Sequence, residues 1–171
     1  MGCGARWVRG RRRGKLSNNI FVGTSTDPTS VIYRGPFAGS EPEVNQTAKY
    51  ILSLSGLAAG LDIHSYGQLI LRNYGYTTQP CPDEARFANI GDTIAQKMNA
   101  VYGTNYVSQR SGDFYPTMGA MDDWFYLSAK VLGMTIELRD QGTYGFLLPP
   151  SQIIPTGQEL AKGILALGDN L

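Results

Sequence analysis

The sequence predicts an alternating α/β fold on three observations. Helical stripes of apolar residues alternate with short β-prone runs, helix-start and glycine signals punctuate them, and no internal repeat or linker divides the 171 residues. In chain order, Ser40 and Glu43 have the spacing of a capping box, and Pro42 fits a first turn. Val44, Ala48, Ile51 and Leu52 then give a helical stripe, with Gly56 and Gly60 bracketing its end. The run Leu61-Asp62-Ile63-His64-Ser65-Tyr66 reads as a strand. A polar loop with Pro80 and Pro82 leads into a second helix carrying Phe87, Ile90, Ile94, Met98 and Val101 before Gly103. A third helix is expected after Asp122, and 134–138 reads as another strand. Thr156 with Glu159 marks the start of a last helix bearing Leu160, Ile164 and Leu167.

Composition is ordinary for a globular core, at 42% hydrophobic and 17% charged residues. No apolar run approaches the roughly 20 residues of a membrane helix. The formal net charge of +1 hides an asymmetry: six of the 15 basic residues and none of the 14 acids lie in the first sixteen positions. That arm, Arg9-Gly10-Arg11-Arg12-Arg13-Gly14-Lys15 at its centre, is expected to be a disordered or non-native tail (1–16) ahead of the folded part (17–171). Nucleic-acid binding is the weaker reading, because Trp7 is its only aromatic residue. Met1-Gly2-Cys3 begins like a myristoylation signal, but Arg6 stands where Ser or Thr is wanted. No secretory leader is visible, and Cys3 and Cys81 do not make a disulfide framework.

Three stretches carry chemistry. His64, the only histidine, closes the first strand-like run, where an imidazole is a satisfied core group, a metal ligand or a base. Glu137 sits inside the β-prone Met134-Thr135-Ile136-Glu137-Leu138, where a carboxylate has to be paired, metal-bound or poised as a base. Between them Phe114-Tyr115-Pro116-Thr117-Met118-Gly119-Ala120-Met121-Asp122-Asp123-Trp124 forms a punctuated loop with a tyrosine.

In order and spacing these stretches resemble the C-terminal half of the zinc carboxypeptidases of the carboxypeptidase A/B family. Tyr33-Arg34-Gly35-Pro36, Ser40-Glu41-Pro42-Glu43 and Ser151-Gln152-Ile153-Ile154-Pro155-Thr156 extend the likeness from about Gly23 to Leu167. The resemblance implies a mixed, largely parallel sheet covered by helices, truncated on its N-terminal side, and hydrolysis of the last peptide bond of a peptide or protein. It implies one Zn2+ ion with His64 as a ligand, and Glu137 as the catalytic base. Tyr115 would close over the substrate's terminal carboxylate, while Ser65, Tyr66 and Phe146 would line the cleft. Asp122 matches the pocket position where aspartate accompanies a preference for Lys or Arg, and Asp123 a neighbouring aspartate common to both specificity types. Arg110 falls at a pocket position where its cation could neutralise Asp122. Arg139 and Asp140 resemble a structural pair.

The family's other zinc ligands, a His-x-x-Glu pair, are missing, since the single histidine is followed three residues on by Gly67. Its substrate-gripping upstream arginines have no counterpart either. The chain by itself is therefore expected to be inactive, and the intact enzyme to be extracellular. The alternative is a non-catalytic remnant or interaction protein that keeps the substrate pocket. Strands without their upstream neighbours are expected to leave edges that associate.

Overall fold

The computed structural model describes residues 24–171. The basic arm at 1–16 and Cys3 lie outside the described residues. Four strands form one sheet in the order β1 (Ala59–Ser65), β4 (Leu132–Leu138), β2 (Leu69–Arg72), β3 (Val107–Arg110). β1 runs parallel to β4 and β2 parallel to β3, while β2 and β4 are antiparallel, so the sheet is mixed and mostly parallel as expected.

Strand alternation divides the sheet into two faces. On one face Ile70, Met134 and Ile136 join Phe87, Ile90, Ile94 and Met98 of α2 (Glu84–Tyr102) in a single buried core with Ala166 and Leu167 of α5 (Ile153–Gly168). Phe87, Ile90, Ile94 and Met98 of the apolar stripe read from the sequence of α2 form this buried stripe, Val101 stays half-buried outside it, and Gly103 ends the helix with a left-handed φ of 68°. On the other face, α4 (Met121–Trp124) and the π turn Phe125–Ala129 lie directly on β4 and β1. Two glycines permit this approach. A Cβ at Gly133 would stand 2.3 Å from the Asp122 carbonyl oxygen, and one at Gly60 would meet the Phe125 ring at 2.3 Å. Any side chain at Gly133 therefore pushes α4, and Asp122 with it, off the sheet.

Both expected capping arrangements are absent. α1 begins at Pro42 after Glu41, and the Ser40 hydroxyl donates to the Glu41 carboxylate instead of capping the helix. α5 begins at Ile153, so Thr156 lies inside it and donates to the Gln152 carbonyl. Glu159 is fully buried and pairs with Arg139. The expected strand ends also move: β1 starts at Ala59 and β4 at Leu132. β2 and β3 have four residues each, too short to show a periodicity, and were not read from the sequence.

Candidate functional site

His64 and Glu137 are Cα partners across the parallel β1–β4 ladder, each one residue from the carboxyl end of its strand. In-register partners on parallel strands point to the same side. Alternation places that side with Gly60 and Gly133, so both groups emerge on the face that carries α4 and Asp122. The carboxyl ends of strands in an open α/β sheet are where such folds bind ligands.

The electrostatics of this face differ from residue to residue. The Glu137 side chain is buried, and its Oε2 has no hydrogen-bond partner among the described residues. Burial pushes its pKa above the usual carboxylate value, with the His64 imidazole opposing and Asp62 reinforcing the shift. His64 is half-exposed, with its Nε2 3.0 Å from Asp62 Oδ2. Its pKa is raised, first by the hydrogen bond to Asp62 and then, against desolvation, by the charges of Asp62, Glu137 and Asp122. Tyr115 is exposed at the end of α3 (Ser111–Phe114), and desolvation followed by the Glu137 charge raises its phenol pKa.

Asp122 is fully buried at the start of α4. Its Oδ1 accepts the Asp123 N–H at 2.8 Å, whereas Oδ2 has no partner among the described residues. Burial and the adjacent Asp123 push its pKa up to about 7. Asp123, by contrast, is well provided for: the Asn73 side chain donates to Oδ1 at 2.9 Å, and the Gly75 and Tyr76 N–H groups donate as well. Two adjacent buried aspartates thus have different environments. One ties α4 to the loop after β2, and the other keeps an oxygen in reserve.

Arg110 does not reach Asp122. Its guanidinium holds Asp113 at 2.8 Å and the Thr78 carbonyl at 2.9 Å, so the expected neutralisation of Asp122 is not seen. Arg139 and Asp140 do not pair with each other either. Arg139 engages Glu159 and Gln152, and Asp140 accepts the N–H groups of Gly142 and Tyr144, which shapes the turn leading to Phe146. Tyr66 and Phe146 meet edge to face with ring centroids 5.0 Å apart. Ser65 is exposed at the end of β1, and alternation puts it on the face opposite His64.

Asp62 was present in the sequence motif without a role. Its signal was spacing, because residues two apart on a strand share a face with whatever chemistry lies there. Asn73 and the Gly75 N–H were likewise invisible as anchors of Asp123, being about fifty residues away in sequence.

Among the described residues, no group of three or more His, Cys, Asp or Glu side chains could hold a metal ion. A zinc site normally takes three or four protein ligands. His64 is one suitable donor, and the described residues do not supply the rest of such a set. Cys81 is buried as a free thiol in the core and offers no substitute.

The family profile described as zinc carboxypeptidase matches residues 14–163. Carboxypeptidase A1 of Bos taurus is 40% identical over 147 residues, which is 85% of this chain but 35% of the relative. Metallocarboxypeptidase A of Arthroderma otae is 40% identical over 152 residues, 85% of this chain and 36% of that protein. In three dimensions the chain is similar to bovine thrombin-activatable fibrinolysis inhibitor, solved in complex with tick carboxypeptidase inhibitor, with a TM-score of 0.81 and 32% identity. That alignment covers 86% of this chain and 51% of the solved one. The carboxypeptidase A structure from Helicoverpa armigera superposes with a TM-score of 0.78 at 26% identity, covering 88% and 39% of the two chains. The chain spans about a third of the curated relatives named here and up to about half of these solved chains. The profile match over most of the chain, these identities and the shared fold make this chain a member of the zinc carboxypeptidase family.

Proposed function

We propose that the chain carries the C-terminal part of the active site of a metallocarboxypeptidase that removes the last residue of peptides, with a preference for Lys or Arg. The observation that carries this reading is the register that sets His64 beside Glu137 at the carboxyl ends of β1 and β4, over the buried Asp122. Glu137 accepts the proton of the attacking water and returns it to the leaving amine, a role that suits a carboxylate whose pKa is raised by burial. Tyr115, exposed and within the electrostatic reach of Glu137, closes on the substrate's terminal carboxylate. Tyr66 and Phe146 form a wall of the cleft, with Ser65 at its lip. Asp122 receives the basic side chain of the substrate on its unpartnered Oδ2, where a charge-assisted contact is strongest. Arg110, held by Asp113, leaves that oxygen free for it.

When bound in such a site, zinc acidifies a water molecule and polarises the scissile carbonyl. His64 is the single donor offered here, so the described residues do not complete that centre. The intact enzyme acts on peptide and protein C-termini outside the cell. The outer edge of β1, which pairs only with β4 among the described residues, and the exposed Ile63 beside it favour association with another polypeptide.

The purified 171-residue chain is expected to release no C-terminal residue from peptides ending in Lys, Arg or Leu, with or without added zinc. Release of free amino acid, measured by amine derivatisation, checks this. Robust zinc-dependent release by the chain alone would show that one imidazole suffices and would overturn the proposed division of the site.

A further inference from the structure

We propose that Asp123 is a positioning residue for the segment that carries Tyr115: its buried carboxylate fixes two consecutive peptide planes, Tyr74–Gly75 and Gly75–Tyr76, whose carbonyls hold that segment on either side of the tyrosine. The inference rests on the functional reading above, which gives Tyr115 its contact with the substrate, and deepens it.

Asp123 and Asn73 are both fully buried. The Asp123 carboxylate takes three donors from the loop after β2: the Asn73 side chain at 2.9 Å, the Gly75 N–H at 3.1 Å and the Tyr76 N–H at 3.3 Å. A trans peptide is rigid and sends its N–H and C=O to opposite edges, so fixing one edge fixes the other. On the edge away from Asp123, the Tyr74 carbonyl accepts the Gly112 N–H and the Gly75 carbonyl accepts the Thr117 N–H, each at 2.8 Å. Gly112 precedes Tyr115 and Thr117 follows it, so only 113–116 lie between the two anchors. The fit is close at both ends. A Cβ at Gly75 would stand 2.5 Å from Thr117 Oγ1, and one at Gly112 would stand 2.2 Å from the Thr77 carbonyl oxygen. Hydrogen bonds on both edges of one peptide also polarise and strengthen each other. Tyr115 itself is exposed, whereas Gly112 is buried and Thr117 half-buried, so the tyrosine is free to swing between points that are held. Asp123 shares α4 with Asp122, and its carboxylate thereby ties the tyrosine segment to the residue proposed to receive the substrate's side chain.

Backbone amide exchange of the 171-residue chain, resolved by residue in 1H–15N spectra, tests this. In the unsubstituted chain the Gly75, Gly112 and Thr117 amides should all be protected. A Gly75 or Thr117 amide that exchanges as fast as in an unstructured peptide overturns the proposal, and this arm needs no variant to fold. Asp123→Asn keeps the side chain's size but offers one acceptor oxygen in place of two. In it Gly112 and Thr117 should exchange roughly tenfold faster or more relative to Ile94 of the α2 core, a reference that subtracts any global loss of stability. The Tyr115 amide should lose order in 15N relaxation at the same time. Gly75→Ala, whose methyl group displaces Thr117 while the carboxylate stays, should also speed Thr117 relative to Ile94. A Thr117 rate that only follows Ile94 in a folded Asp123→Asn overturns the proposal, as does an unmoved Thr117 in Gly75→Ala. None of these outcomes depends on peptidase activity. Anchors that open as expected in a protein that proves inert in peptide hydrolysis would retain the inference and discard the functional reading.

Discussion

Replacing Glu137 with Gln in a protein completed by an upstream half that carries a His-x-x-Glu pair lowers kcat by roughly 10²–10⁴-fold, the usual worth of a positioned general base. The substitution keeps the side chain's size and the β4 ladder, so fold and metal content should be unchanged. His64→Ala should behave differently, because it removes a donor: metal content itself should fall. The contrast separates a group that moves protons from one that holds an ion. It is read by metal analysis beside single-turnover kinetics on the same samples. Equal metal loss in both variants would contradict the assigned roles, as would a Glu137→Gln enzyme that retains full turnover.

The second large effect concerns Asp122, which has a stability arm and a specificity arm. Its pKa of about 7 in the folded chain lies above the ordinary 3.8. Between these values the folded state keeps a proton that the unfolded state has lost, so stability falls as pH rises from about 4 to 7 and levels off above. Three pH units correspond to on the order of 4 kcal/mol for this fully buried group. Asp122→Asn keeps an acceptor for the Asp123 N–H and removes the titration. Its unfolding free energy should therefore match the parent's at pH 4, apart from a constant offset, and exceed it increasingly up to pH 7. Urea denaturation across this range measures the gap, and a gap independent of pH would show that Asp122 ionises normally. In the completed enzyme, Asp122→Ile should move preference from Lys toward Leu by about tenfold to a hundredfold in kcat/KM, the worth of one charge-assisted contact. A parent enzyme that already prefers Leu would sink the specificity claim and leave the family membership standing.

The sequence made the long elements legible and the short ones opaque, for a physical reason. α2 has nineteen residues and a full apolar stripe, so its period and its glycine stop were visible at once. β2 and β3 gain their stability from neighbours supplied by β4 and α2, and four residues carry no period to read. The capping arrangements failed because a Ser or Thr three residues before a Glu is also compatible with a serine bonded to its neighbour or a glutamate buried on an arginine. At the site, His64 and Glu137 stood out as ionisable groups in apolar runs. Their adjacency came from the β1–β4 register, which joins residues 73 positions apart and cannot be read from either run. The freedom of Asp122 from Arg110 was similarly hidden, since it depends on where a long side chain turns: here to Asp113, three residues along its own chain.

The proposal to be tested is that these residues form the C-terminal part of a carboxypeptidase site. The most direct measurement is kcat/KM for a peptide ending in Lys, determined for the 171-residue chain and for the same chain joined to the upstream half of a family member. The joined protein is first shown to be folded and to carry one zinc ion. Release of free lysine by the joined protein, abolished by a chelator and restored by zinc, is expected, and none by the chain alone. A folded, zinc-loaded joined protein that leaves every peptide intact would contradict it and favour a chain that keeps the pocket without the chemistry.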